Sequence, residues 1–222
     1  MPIHTQTWDV DLGSPDNWAN AAQSTSVFRQ GGGSLRLNPA AAVAFWLKNL
    51  SPAPSQLVYR VWVRFDAKPA SSLQNVVVPN GSTTAMGVGW DFTANQFAIY
   101  DGNTLVNPGG PTVSLGAWNR IDLRVDASAN PCVCDAMIDG TPLTQTTRAV
   151  AAGTFPDYRV GSTWEGLSYD LFFDDLSVST NGADYPITDP DLPAIQSRVP
   201  MPMFAVPGED RIMRMHGRTL GS

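Results

Sequence analysis

The clearest pattern along this chain is alternation. In QLVYRVWVRF, Leu57, Tyr59, Val61, Val63 and Phe65 fall on one side of an extended segment, with Val58, Arg60, Trp62 and Arg64 on the other. A period of two sustained over that length predicts a strand with one face in a core. WNRIDLRVDA repeats it, setting Ile121, Leu123 and Val125 against Arg120, Asp122 and Arg124, and CVCDAMIDG follows as a hairpin partner ended by Asp139-Gly140. Shorter strands are predicted in GSLRLN, AVAFWLK, VVV before the Asn80-Gly81 turn, AMGVGWDF, NQFAIYDG, DYRVG and LSYDLFFDDLSVS. In NQFAIYDG, Phe97 and Ile99 point inward and Tyr100 outward. No stretch before residue 180 carries a helical period.

Composition sharpens this into an all-β reading. Of 222 residues, 19 are Gly and 18 Pro, and only 15% are charged, the balance of many short strands joined by tight turns. A hydrophobic share of 43% with seven Trp is enough to fill a full core. The expected organisation is one domain over residues 1–184 and an arm over 185–222. In that arm Pro186, Pro190, Pro193, Pro200, Pro202 and Pro207 remove ladder donors and force an extended course.

The arm has a second character. Over residues 197–222, Arg198, Arg211, Arg214 and Arg218 outnumber Glu209 and Asp210, so the end of the arm is basic and the remainder of the chain acidic. It also carries Met201, Met203, Phe204, Ile212, Met213 and Met215, apolar groups suited to docking on another subunit, since Met adapts to irregular grooves and extended peptides add to sheet edges. These six are the expected partner-binding residues.

Charge and cysteine usage narrow the classes further. A net charge of −6 disfavours nucleic acid, whose binding draws on Lys and Arg at phosphates. No apolar run reaches the roughly 18–20 residues that span a bilayer, so no membrane partner is expected. MPIHTQTWDV lacks the basic start and apolar stretch of a secretion signal, so synthesis and folding in the cytoplasm are expected. Cys132 and Cys134 stand two apart on one strand face, where a disulfide would strain the backbone; both are expected to be reduced core residues. The two histidines, His4 and His216, lie near opposite ends of the chain and offer no metal cluster.

Taken in order, GSLRLN, VYRVWVRF, QFAIYDG, WNRIDLRVD, AMIDG and FFDDLSVS resemble the concanavalin A-like, laminin G-like jelly-roll family over roughly residues 5–180. The resemblance implies an antiparallel jelly-roll β-sandwich and leaves the ligand open, because that fold hosts lectins, hydrolases, lyases and interaction modules. With its low charge and docking arm, the chain also resembles bacteriophage virion proteins of the minor-tail or decoration type. That analogy implies location in the virion and contacts with other virion proteins and with copies of itself.

Catalysis requires a particular spacing. Glycosidase carboxyls stand about 5–5.5 Å apart in retaining enzymes and about 6.5–9.5 Å apart in inverting ones. Asp174 and Asp175 are consecutive and point to opposite faces of an unbulged strand, while Asp170 and Asp174 are roughly 13 Å apart at about 3.3 Å per residue. Asp122 and Asp126 repeat the wider spacing, and Glu165 is isolated in STWEG. Tyr59 or Tyr169 remains open as the base of a lyase. The expectation is a protein without catalytic residues; a glycoside hydrolase or polysaccharide lyase is the alternative.

Asp174 shares parity with Leu176 and Val178 and is expected inward, accepting hydrogen bonds from backbone, Arg or Trp donors, with Asp175 on the wetter side; a bulge would change these faces. The competing reading is a Ca²⁺ site, which needs six to eight oxygens. No local ligand-rich loop supports one, so no cofactor is expected.

Glycan recognition suits the polar faces best. Arg60, Trp62 and Arg64 form one polar and aromatic stripe, and Trp118, Arg120, Asp122 and Arg124 another; an aromatic face covers sugar C–H groups while Arg and Asp fork to hydroxyls. The competing reading has Trp62 covered by a loop, the arm or the second sheet. Trp90, Tyr100 and Trp164, near turns, complete the expected ligand-binding set.

Overall fold

A computed structural model describes residues 4–6, 8, 15–38, 44–68, 73–81, 84–102, 104–162 and 170–188. In chain order the strands are β1 (His4–Gln6), β2 (Asn17–Ala19), β3 (Ala21–Ser24), β4 (Ser34–Leu37), β5 (Ala44–Asn49), β6 (Gln56–Phe65), β7 (Leu73–Asn80) and β8 (Met86–Asp91). They continue as β9 (Gln96–Asp101), β10 (Thr104–Asn107), β11 (Trp118–Asp126), β12 (Cys132–Ile138), β13 (Thr141–Pro142), β14 (Thr146–Arg148), β15 (Asp157–Ser162) and β16 (Leu171–Ser179). One short 3₁₀ turn, Gly182–Asp184, follows β16.

Two antiparallel sheets form a β-sandwich. The first runs β13-β12-β11-β6-β16-β4-β3, with β1 against β16 and β14 against β12; the second runs β10-β9-β8-β7-β15-β5-β2. The alternation read in β6 and β11 is the reason for their central place. Leu57, Tyr59, Val61, Val63, Ile121 and Leu123 are all fully buried between the sheets, each removing apolar area worth about 25 cal/mol per Å². The turn after β12 has positive φ at Asp139 (52°) and Gly140 (82°), the conformation that a tight antiparallel reversal requires.

Aromatic rings meet edge-on inside the sandwich. Trp8 packs against Trp46 at 5.9 Å, Tyr59 against Tyr158 at 5.7 Å, and Phe65 against Trp90 at 4.7 Å between centroids. Such pairs add about 0.5–1.5 kcal/mol beyond their burial. Arg148 on β14 of the first sheet pairs with buried Asp101 on β9 of the second, tying the two layers.

β16 departs from regular alternation. Leu171 and Phe173 face the core, and Phe172 lies opposite Arg64 and Asp174 opposite Trp62 on the outer face. The register then shifts between Asp174 and Ser177, with Asp175 at φ 49°, and Leu176 and Val178 return to the core. The expected parity of Asp174 with Leu176 is therefore corrected: the bulge puts Asp174 outside the sandwich core. β16 also changes partner here, pairing with β4 at Leu171–Phe173 and with β1 at Leu176–Val178.

Residues 1–188 form one compact unit. Within it Ile187 is buried, 4% exposed, beyond the 3₁₀ turn. Met201, Met203, Phe204, Ile212, Met213 and Met215 lie outside the described residues. No helix among the described residues is long and apolar enough to cross a membrane.

Candidate functional site

The two polar stripes lie side by side. In the β6–β11 ladder Arg64 stands opposite Trp118, Trp62 opposite Arg120, and Arg60 opposite Asp122, all on the outer face of the first sheet. Asp122 is fully buried between two guanidinium groups: Arg60 Nε donates to its Oδ1 at 2.8 Å and Arg120 Nε to its Oδ2 at 2.9 Å. Arg60 is itself only 8% exposed. This part of the stripe is internally satisfied, so Arg60 and Asp122 hold adjacent strands together rather than present groups to a ligand.

Trp62 is covered by a loop. The loop between β3 and β4 brings the Arg29 guanidinium carbon to 4.0 Å from the Trp62 ring centroid, and Arg29 Nη1 pairs with Asp175. Gln30 Nε2 donates to Asp175 Oδ1 at 3.1 Å. Beneath them the Asp174 Oδ2 accepts the backbone N–H of Arg29 at 2.9 Å and of Gln30 at 3.5 Å, while its Oδ1 accepts the Asp175 N–H at 2.9 Å. The expected backbone donors for Asp174 are present. Asp175 is corrected from the wetter side to a buried position, 8% exposed, because the bulge turns it toward the loop. These carboxylates serve as a clasp for residues 29–30, in the gap where β16 passes from β4 to β1. Burial pushes the Asp174 carboxyl up to about 7 against the pull of the Arg29 amide, and the neighbouring Asp175 charge raises it further.

The clasp fixes one wall of a polar cavity. A space of about 460 Å³ opens on the outer face of the same sheet, lined among the described residues by Gln23–Val27 on one side and by Arg36, Asp66, Asp170 and Phe172. The register explains the arrangement: Arg36 on β4, Phe172 on β16 and Arg64 on β6 occupy one rung. Phe172 is the floor, 3% exposed, and a guanidinium flanks it on each side. Arg36 reaches Asp170 with Nη2 at 2.7 Å and Nε at 2.9 Å, and Arg64 Nε donates to Asp66 Oδ1 at 2.7 Å. Thr25 and Ser26 are exposed at the rim. The site thus offers N–H donors, carboxylate acceptors, hydroxyls and one aromatic ring within a single recess.

The other expected ligand contacts scatter. Trp90 is corrected to the core, fully buried against Phe65 and Phe97, because its strand parity matches Met86 and Val88. Tyr100 does face away from the core, as its parity predicts, but it is only 3% exposed and is corrected from a surface contact to a buried residue on the second sheet. Trp118 and Arg120 are half-buried on the stripe beside the cavity. Trp164, Glu165 and Tyr169 lie outside the described residues. Tyr59 is fully buried in the core, and burial raises its hydroxyl well above the ordinary value. Cys132 and Cys134 are free and buried, as expected, and burial lifts the Cys132 thiol to about 11.

Sequence reasoning missed Arg29, Arg36, Asp66 and Phe172, and weighed Asp170 only as a catalytic carboxylate. Arg36 carried a usable signal, since Leu35 and Leu37 mark it as outward on a strand. Arg29 carried none, because only the three-dimensional return of the β3–β4 loop sets it over Trp62. Asp174 and Asp175, the acids considered for calcium, direct oxygens to N–H donors of Arg29 and Gln30.

No family model matches the chain, and no curated protein matches it in sequence. Among solved structures it is similar to Trypanosoma rangeli sialidase in complex with the inhibitor DANA, 14% identical with a TM-score of 0.52 over 74% of this chain and 27% of that one. It is likewise similar to the same sialidase in complex with sialic acid, 16% identical with a TM-score of 0.51 over the same shares. A further sialidase is 11% identical with a TM-score of 0.51, over 82% of this chain and 19% of that one. The chain spans about a quarter or less of the length of these sialidases, and the likeness is one of fold.

Proposed function

We propose that this chain is a non-catalytic glycan-recognition module whose saccharide site is the cavity over Phe172. The observation that carries the reading is the single rung Arg36, Phe172, Arg64, in which an aromatic floor lies between two Arg–Asp pairs. A sugar ring presents C–H groups on one face and hydroxyls around its edge, and this recess offers a partner for each. Binding on a rigid sheet also limits the ordering cost that weakens loop-built sites.

Hydrolysis is the second class, and the placement of the acids argues against it. A glycosidase needs one carboxyl kept protonated as general acid and a second as base or nucleophile. Asp66 and Asp170 are each engaged by an arginine side chain, Asp170 by Arg36 and Asp66 by Arg64. Asp174, whose carboxyl burial pushes up toward neutrality, is fully buried beneath residues 29–30.

Glycan-array binding of the purified chain tests the reading. Arg36→Ala and Arg64→Ala are expected to lower the signal at least about tenfold, a loss of roughly 1.4 kcal/mol each. Wild-type binding that both variants retain would place the saccharide elsewhere. The setting on a virion rests on the arm: truncation after Thr188 is expected to abolish incorporation into particles while leaving glycan binding intact.

A further inference from the structure

From the charges that meet in the cavity, we infer that its ligand is a neutral, hydroxyl-rich saccharide and that the site discriminates against carboxylated sugars such as sialic acids and uronates. The inference rests on the glycan reading above and adds the substrate class. In the described lining the charged groups are Arg36, Asp66 and Asp170, and Arg64 stands directly beside them on Asp66. Both guanidinium groups therefore already hold a carboxylate, at 2.7 Å in each pair. No positive charge among these groups is left over for an incoming anion.

A carboxylated sugar would have to displace Asp170 from Arg36 or Asp66 from Arg64, or lie beside one of them as a like charge. Displacement breaks an existing ion pair and leaves its carboxylate without that partner, and the juxtaposition of two anions is itself unfavourable. The formal charge of −6 on the whole chain adds a long-range field of the same sign. A vicinal diol meets no such obstacle. Each Arg–Asp pair sets N–H donors next to carboxylate lone pairs, and a hydroxyl both donates and accepts, so adjacent hydroxyls can bridge a pair without breaking it.

The side chains involved are also accessible enough to act and to be changed. Arg36 is 40% exposed, Asp170 26%, Arg64 28% and Asp66 37%. Replacing both acids by amides would leave two uncompensated guanidinium groups around the Phe172 floor. That converts a neutral recess into a cationic one without altering its shape.

The test is an array of neutral hexose oligosaccharides printed beside the same backbones capped with sialic acid or galacturonate, followed by calorimetry on the best neutral and acidic probes. The wild type is expected to prefer the neutral member of a pair by about tenfold or more. Asp66→Asn/Asp170→Asn, checked for an unchanged circular dichroism spectrum, is expected to raise acidic-glycan affinity by about tenfold, with a gain that fades as salt is added. Equal or tighter wild-type binding of the capped glycans, lost in Arg36→Ala, would overturn the neutral specificity while leaving the glycan site in place. An unchanged preference in the double variant would overturn it as well. Absence of binding to any glycan would overturn the recognition reading itself.

Discussion

The guanidinium carbon of Arg29 stands over the Trp62 ring, 4.0 Å from its centroid. The same group pairs with Asp175, so one side chain fastens a loop to both an aromatic ring and a bulged strand. Arg29→Ala is expected to cost about 2–3 kcal/mol in urea denaturation, from loss of the cation–π contact and of the ion pair to buried Asp175. Glycan binding should weaken too, because the loop supplies the Thr25–Val27 wall of the cavity. A loss below about 0.5 kcal/mol would mean that the loop is held by its remaining hydrogen bonds, from the residue 29 backbone to Asp174 and from Gln30 to Asp175.

Asp174 links this clasp to pH. Its carboxyl is raised from 3.8 to about 7 by burial, so between those values the folded chain holds a proton that the unfolded chain releases. Its contribution to stability is fully present below pH 3.8 and is lost as pH rises through about 7. The slope attributable to it reaches about 1.4 kcal/mol per pH unit in that window. Asp174→Asn should flatten the difference in unfolding free energy measured from pH 4.5 to pH 7.5, roughly the span between the two protonation midpoints. Parallel curves for wild type and variant would refute the assignment.

Asp122 has no exposure and two arginine partners. Asp122→Ala should therefore destabilise by about 3–5 kcal/mol, the cost of leaving buried guanidinium charge without its counterion. Asp122→Asn keeps one acceptor and should cost less. Thermal melts of the two variants check the ordering.

Gly161 occupies a position closed to other residues. Its φ is 92°, and a Cβ there would come within 2.3 Å of Leu37 Cδ1 and 2.5 Å of the Ala44 carbonyl oxygen. Gly161→Ala is expected to cost about 3 kcal/mol or more, from left-handed strain and overpacking together. A neutral result in denaturant titration would show that β5 and β15 can separate there without loss.

Much of the architecture was legible because alternation is a local signal. Leu57 to Phe65 and Ile121 to Val125 each announce a buried face, and their register then follows from two faces that must match. The same logic failed at Asp174, where one inserted residue at the Asp175 bulge reversed every side chain beyond it. Trp90 misled for a related reason: a tryptophan next to a turn suggests a surface platform, yet the parity of Met86, Val88 and Trp90 assigns it inward. The candidate site was half readable. Arg64 stood out on an exposed stripe, but its neighbours Arg36, Asp170 and Phe172 come from strands far apart in sequence, and only the order β4-β16-β6 sets them on one rung. Arg29 depended wholly on where a loop returns.

The two thiols have a practical corollary. Both sit at 0% exposure, and burial keeps Cys132 near 11 and Cys134 higher still, so at neutral pH almost no thiolate meets solvent. The native chain should ignore maleimide until it unfolds. A cysteine introduced at the cavity rim, as Thr25→Cys, would then be the single attachment point for a fluorophore, giving a direct optical reporter of whatever enters the recess.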